Sequence, residues 1–465
     1  MQRKESKLAL VITDGVGFRN FILSDFLEHA NRTFDEVVIL SCLPESVYRE
    51  YTELRVIELN VFVETFKTWF FRKAKEIAHL KLNKKENFGI WDNLRANYSK
   101  FKTTRGYATR FIYKLTALFH RESNIQQFQR LQNFTFRNHK ITKEYLSILE
   151  EEQFGMLFFT HQRPPYIAPL VYAAHQKKIK TTAFIFSWDN LASKGRMASN
   201  FDYYLVWSDL MKHDLLKFYR SIKEERIKVV GTPQFVPYVM DAYKISKSEF
   251  INQFDLDLNL KTICFSCGDI STSKNDELYI ETLANAIIEK TIEPVNFIVR
   301  TSPAEDPVRF KEIVEKFPFI KWNFPKWEQV RQNHQESWSQ RIPTIKDVKQ
   351  LRALLEYSDL NINMLSTMSL DFMLFDKPVI NPIFGNQTNS LYDDQRFLGY
   401  AHIAHLVNSQ ASKLVKTKEA LIRAISDYLE TDNDKEKRKN FIKQQVGVSL
   451  EKTNSALADS LKAWD

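Results

Sequence analysis

Two doubly wound α/β domains in tandem, each with its own parallel sheet, are what this sequence predicts, and three observations carry the expectation. The 465 residues exceed what one typical core accommodates. Short apolar runs alternate with helix-period segments from "KLALVI" to "IAHLV", the order that produces parallel strands with helices on both faces. The alternation starts afresh at "KTICFSCGD", after a connection, "TPQFVPYVMDAY", that Pro233 and Pro237 stiffen. The expected domains are therefore residues 1–235 and 236–465, both Rossmann-like.

In order along the chain, "KLALVI" is a strand, "TDGVGFRN" a Gly-containing loop, "FILSDFLEHANR" an amphipathic helix and "FDEVVILSC" the second strand. From about 62 to 150 glycine and proline are scarce and apolar residues recur at helical spacing, which predicts a helical insertion. Strands return at "FGMLFFTHQ", "IKTTAFIFSWDN", "FDYYLVWS" and "RIKVVGTP". The second series runs through "KTICFSCGD", "PVNFIVRTSP", "FIKWNF", a Trp-rich irregular stretch, "DLNINML", "PVINPIF" and "IAHLV". The last helices are charged and amphipathic, and one of them is placed to pack back across the first domain.

Composition narrows the chemistry. Three cysteines, Cys42, Cys264 and Cys267, exclude a disulfide framework and point to a reducing, cytoplasmic compartment. The "CFSC" pair has no second Cys/His pair nearby to complete a zinc site. Asp14 interrupts the first apolar run too early for a signal peptide, and no stretch reaches the roughly 18 apolar residues of a membrane span. Residues 65–121 hold 14 Lys and Arg against three acids, a larger excess than the whole chain's net charge of +9. Aromatics such as Trp69, Phe70, Phe71 and Trp91 interleave with them. That mixture fits the inner face of an anionic membrane, and a peripheral attachment is expected there rather than nucleic-acid binding. Lys73, Lys75, Lys81, Lys84 and Lys85 are its expected contacts.

Open α/β sheets bind ligands beyond the carboxyl ends of their strands, so the loops after strands are where function is sought. In "NINMLSTMSLDFMLFD" a strand breaks into small hydroxyl residues before a helix. Backbone N–H groups and the helix dipole at such a break favour a phosphate. Ser366, Thr367 and Ser369 form that seat, with Asp371 positioned for ribose hydroxyls. Arg300 and Ser302 in "FIVRTSP" and Ser266 and Gly268 in "SCGDIS" lie on neighbouring strand ends, and an arginine fork suits a diphosphate. The D-x-D at Asp255 to Asp257 falls in a polar stretch away from any strand end, so no metal is expected. Neither H-E-x-x-H, a Walker Gly-Lys-Ser/Thr nor G-x-S-x-G occurs.

These residues resemble a family. "VWSDLMKHDL", "IKVVGTPQF", "FIVRTSP" and "YSDLNINMLSTMSLDFMLFDKPVINPIF" are similar to the GT-B glycosyltransferases of bacterial surface-polysaccharide synthesis and to the related CDP-glycerol glycerophosphotransferases. The resemblance covers most of residues 155–410 and the first βα unit, and is weak over the basic segment. It implies two domains facing a cleft, the second gripping a nucleotide-sugar donor and the first a glycan or lipid-linked acceptor. No resident cofactor is implied. Teichoic-acid-type enzymes carry R-x-H-P where this chain has "RTSP", so Ser302 replaces a histidine, and a His-Gly where it has "SWDNLASKG". Both departures favour sugar transfer over glycerophosphate transfer. Non-hydrolysing epimerases carry Ser-Gly-Gly with paired glutamates where this chain has "STMSLD". A non-catalytic nucleotide-binding scaffold is the remaining alternative.

The base that deprotonates the acceptor is expected from the first domain. Asp14 and His161, each directly after a strand, are the first candidates and Asp189 the third. Gly15, Gly17, Arg19, Asn20 and Trp188, on the same loops, are the expected acceptor contacts.

Overall fold

The structure is a computed structural model that describes residues 6–385 and 391–465. The chain forms two compact units, the first of Met1–Val236, Gln329–Ile342 and Gln445–Asp465, the second of Pro237–Glu328 and Pro343–Gln444.

The first unit carries strands β1 (Lys7–Ile12), β2 (Glu36–Ser41), β3 (Val56–Glu58), β4 (Met156–Phe159), β5 (Lys180–Phe184), β6 (Tyr203–Val206) and β7 (Ile227–Val229). They lie in the order β3-β2-β1-β4-β5-β6-β7, every neighbouring pair parallel. Leu8 to Ile12 of β1 are completely buried, which explains why that strand is a continuous apolar run rather than an alternating one. Helices α1 (Gly15–Phe21) and α2 (Phe26–Thr33) follow β1. Phe21 anchors them, its ring 5.2 Å from Phe26, 5.4 Å from Phe158 and 5.8 Å from Phe184, all edge-on.

The segment after β3 is the helical insertion: α3 (Phe66–Asn83), α4 (Phe88–Ala96), α5 (Thr104–Leu118), α6 (Glu122–Phe136) and α7 (Lys140–Glu152). Its charges are less exposed than composition implies. Arg72 is forked onto Glu64 (2.6 and 2.8 Å) and also reaches Glu76 at 2.6 Å. Lys75 is buried, donating to Gln129 Oε1 at 2.7 Å and the Ala198 carbonyl at 2.8 Å. Trp69 is buried and Lys73, Lys81, Phe70 and Phe71 are half-buried. Of the membrane contacts expected on α3 and just beyond, Lys84, Lys85 and Trp91 alone are exposed, because α3 is the central helix of the insertion, covered by α5 and α6.

The second unit has β8 (Lys261–Ser266), β9 (Val295–Arg300), β10 (Lys321–Asn323), β13 (Leu360–Ile362), β14 (Val379–Pro382) and β15 (Lys413–Val415), ordered β10-β9-β8-β13-β14-β15 and parallel. The short strands β11 (Trp327–Gln329) and β12 (Arg341–Pro343) flank the excursion 329–342.

Two segments expected in a continuous 236–465 domain therefore belong to the first unit. Residues 329–342 are accommodated by Gly15, where a Cβ would stand 1.6 Å from the Arg341 carbonyl oxygen. The C-terminal helix Leu450–Lys462 reaches α2, with Asn454 donating to Ser24 Oγ at 3.0 Å and Asp25 Oδ1 at 2.6 Å. Beyond it Trp464 stacks on Tyr203 at 4.5 Å.

Candidate active site

In the first sheet β1 and β4 are neighbours, yet the chain leaves β1 toward β2 on one side and β4 toward β5 on the other. This reversal is where open α/β sheets leave a crevice for ligands. Asp14 lies two residues past β1 and His161 two past β4, and their side chains meet there, His161 Nδ1 2.8 Å from Asp14 Oδ2. Asp14 is fully buried and His161 is 5% exposed. Two further donors fill the carboxylate: the Gly17 N–H at 2.8 Å, which makes Asp14 the cap of α1, and the Thr13 hydroxyl at 3.0 Å.

Burial opposes charge on Asp14, but the bond and charge of His161, the Gly17 N–H and the Thr13 hydroxyl outweigh it, so the carboxyl lies below its usual range. Burial also lowers the His161 pKa, against the raising effect of Asp14. The pair at neutral pH is thus carboxylate and neutral imidazole. A carboxylate only accepts, so Nδ1 carries the ring proton and Nε2 the lone pair. Phe186 lies flat on the imidazole at 3.8 Å and fixes its plane. Tyr166 donates to the Thr13 carbonyl at 2.9 Å and holds the preceding turn.

The other first-domain candidates divide. Gly15 is covered by the Arg341 backbone, so its role is to admit residues 329–342 rather than an acceptor. A Cβ on Gly17 would lie 2.7 Å from Thr160 Oγ1, so this glycine serves β1–β4 packing and the Asp14 cap. Arg19 and Asn20 are buried in α1, and Asn20 Oδ1 has no hydrogen-bond partner. Trp188 is buried. Asp189 pairs with Lys194 at 3.3 Å and accepts from Asn190 at 3.0 Å. It acts on His161 through its field, and the structure brings the side chains of Asp14 and His161 together.

Residues 329–342, part of the irregular stretch for which sequence offered no role, add His334, edge-on to Tyr166 at 5.3 Å. They also add Glu336, whose carboxyl is pushed up by burial and then by the charge of Asp14.

The second sheet reverses between β8 and β13, and an asparagine network that the sequence reading missed sits there. Asn361, Asn363 and Asn381 are fully buried. Asn361 donates to Ser266 Oγ at 2.9 Å, and Asn363 to Asn361 Oδ1 at 2.7 Å. Asn381 donates to the Asn363 carbonyl at 2.8 Å. Asparagine is disfavoured in strands, so its recurrence in "DLNINML" and "PVINPIF" was the available signal.

This network shapes the expected phosphate seat. The Ser366 N–H bonds Asn363 Oδ1 at 2.8 Å, the Met368 N–H bonds Ser366 Oγ at 3.2 Å, and the Ser369 N–H bonds the Ser366 carbonyl at 3.0 Å. The break is a tight turn with Leu365 at φ 49°, followed by a helix of only seven residues, Met368–Leu374. Ser369 is fully buried against Asn363, and Asp371 is buried with the Tyr238 hydroxyl on its Oδ1. Arg300 is likewise committed: it is buried, forked onto Asp347 at 3.2 and 3.0 Å, and bonded to Asn323. Gly268 donates to buried Asp276 at 2.9 Å, and Ser266 is held by Asn361. Ser302, Ser366 and Thr367 are half-buried on the strand-end loops.

No protein-family model and no curated protein matches the chain. Solved structures do match. A glycosyltransferase from Rickettsia africae ESF-5 has a TM-score of 0.51 at 12% identity, over 99% of this chain and 98% of that one. S. aureus MnaA in a co-structure with UDP gives 0.54 at 10%, over 99% and 96%. UDP-GlcNAc 2-epimerase from Neisseria meningitidis bound to UDP-GlcNAc gives 0.54 at 11%, over 98% and 99%. At these identities the likeness is one of fold, and the fold is GT-B.

Proposed function

We propose that this chain is a glycosyltransferase that moves a sugar from a nucleotide-sugar to a hydroxyl of a glycan or lipid-linked acceptor, in bacterial surface-polysaccharide synthesis. The observation that carries the reading is the Asp14–His161 pair at the reversal of the first sheet. His161 Nε2 takes the acceptor proton while the acceptor oxygen bonds to the anomeric carbon. The bond from that carbon to the diphosphate breaks, and the nucleoside diphosphate leaves with the electron pair. Asp14 holds the tautomer and stabilises the imidazolium that forms, and is thus a positioning residue.

The second unit is the donor's place by fold analogy, which is supported by the UDP and UDP-GlcNAc carried by two of the similar structures. Ser302, Ser366 and Thr367 are the candidates for donor contact, and Arg19, Asn20 and Trp188 for acceptor contact. The chain's two D-x-D triplets are spent elsewhere, Asp255 on Lys321 at 2.7 Å and Asp257 on the Asn259 N–H at 2.9 Å, Asp432 on Arg438 at 2.8 Å and Asp434 on Lys437 at 2.8 Å. We therefore expect turnover that survives EDTA, with the donor as co-substrate and no resident cofactor.

The test begins with a thermal-shift panel of UDP, CDP, GDP and dTDP and their sugars. At least one should raise Tm, by mass action. With that donor, His161→Ala should lower turnover about 10²- to 10⁴-fold and leave nucleotide affinity unchanged. If no nucleotide shifts Tm, or if His161→Ala turns over normally, the reading is rejected. Release of CMP from CDP-glycerol would instead assign glycerophosphate transfer.

A further inference from the structure

Helix α5 wears its side chains the wrong way round for a soluble protein. Its inward residues are Gly106, Thr109, Ile112 and Thr116, all buried. Its outward ones are Tyr107, Phe111, Lys114 and Leu118. At 100° per residue these four fall within a stripe roughly 60° wide. Tyr107 is 58% exposed, Phe111 57% and Leu118 78%, and at the helix ends Phe101 and Phe119 are 76% and 46% exposed. A helix normally turns such residues to the core, and contiguous apolar exposure marks an interaction surface.

The orientation is held by packing. A Cβ on Gly106 would stand 2.2 Å from the Phe101 carbonyl oxygen, so this side of the helix admits no larger residue. The inward hydroxyls are satisfied within the helix, Thr109 on the Arg105 carbonyl at 2.8 Å and Thr116 on the Ile112 carbonyl at 2.7 Å. The apolar stripe is thus committed to the outside.

Charge identifies what covers it. Residues 93–121 contain seven Lys and Arg and not one Asp or Glu. Lys100, Lys102 and Lys114 among them are exposed around the stripe. A second copy of the same face is repelled by like charge. A nucleic acid matches the cations but gives Leu118 and Phe119 no apolar phase. We infer that the outer face of α5, with Phe101 and Phe119, docks the protein on an anionic lipid surface, aromatic and aliphatic side chains entering the headgroup region and cations pairing with lipid phosphates. This attachment is independent of the reaction proposed above, and it moves the contact away from α3, whose cations are largely buried.

The experiment is co-sedimentation of the full chain with vesicles of phosphatidylglycerol and phosphatidylcholine, and with phosphatidylcholine alone. Binding is expected to the first only, weakening as salt rises. Phe111→Glu with Leu118→Glu should reduce partitioning at least tenfold. Lys100→Glu with Lys102→Glu and Lys114→Glu should reduce it by about fivefold for each cation lost, or more. All five positions are exposed, so Tm and any nucleotide-induced Tm shift should stay at wild-type values, which separates lost docking from lost folding and from failure of the catalytic reading. Wild-type protein left in the supernatant at low salt overturns the inference. So does wild-type binding by both variants, displacement of vesicles by duplex DNA, or a dimer that the Phe111→Glu/Leu118→Glu variant abolishes.

Discussion

Replacing Arg300 by alanine separates a structural role from a donor-binding one. The guanidinium and the Asp347 carboxylate are 5% and 2% exposed and meet through two bonds of 3.2 and 3.0 Å. Without Arg300, Asp347 keeps only neutral donors, the Lys326 N–H at 3.2 Å and Trp327 Nε1 at 3.0 Å, and a charge stays buried without its counter-charge. Breaking a buried pair from one side costs about 3–5 kcal/mol. For a unit of roughly 200 residues that corresponds to a fall in Tm of about 6–20 °C at ~2–4 °C per kcal/mol. Calorimetry on Arg300→Ala should show that drop in the second unit's transition, and nucleotide affinity, measured where the variant is folded, should change by less than about threefold, which is under 1 kcal/mol. Arg300→Met combined with Asp347→Leu should be less destabilised than the sum of the two single changes by at least ~1 kcal/mol. An Arg300→Ala protein that melts like wild type but binds nucleotide tenfold more weakly refutes this, and would return the arginine to the diphosphate clamp that its strand-end position suggests.

Gly15→Ala sets a methyl carbon against the Arg341 backbone, where neither partner is a movable side-chain end. A loss of about 1–3 kcal/mol is expected in urea melts, with faster proteolysis within 329–342. Because burial lowers the His161 pKa from 6.5, kcat/KM should stay flat as pH falls to that value and decline only below it. Asp14→Asn removes the carboxylate that favours the imidazolium, so it should shift that limb further down and cut kcat about 10²- to 10⁴-fold; an acid limb above 6.5 contradicts the pair's assignment. Lys75 is 1% exposed and its pKa is lowered to about 7 by burial. Its folded value lies below the unfolded one, so protonation favours the unfolded chain and this term gains stability as pH rises from about 7 toward 10.5. Lys75→Met should therefore be most advantageous near pH 7. That advantage should shrink by up to about 1.4 kcal/mol per pH unit on going to pH 9, and a pH-independent difference between the two proteins contradicts the buried neutral lysine.

Much of this molecule was legible along the chain. Most of the strand and helix order, the renewed alternation at "KTICFSCGD" and the helical character of the basic segment rest on local periodicity, which any buried strand or amphipathic helix must display; "IAHLV" is an exception, lying in the helix Ala401–Ser409, with the last strand at Lys413–Val415 instead. The positions of Asp14 and His161 directly after strands were legible for the same reason, since a parallel sheet puts its chemistry at strand ends. Their union was not. The two residues are 147 positions apart, and only the sheet order, which sets β4 beside β1, makes one a partner of the other. Arg300 and the "STMS" turn show the converse: at a strand end each was a reasonable anion contact, but Asp347, 47 residues on, holds the guanidinium and Asn363 takes the Ser366 N–H. Composition likewise located an excess of cations between 65 and 121 without saying which face they occupy. Packing decided that, burying α3 between its neighbours and leaving the apolar stripe of α5 outside. Sequence alone determined which segments become strands and helices and where their polar ends fall, because those properties depend on neighbours a few residues away. The pairings, the reassignment of 329–342 and 445–465, and the exposed face depended on groups far apart in the chain, and only the tertiary structure brings those together.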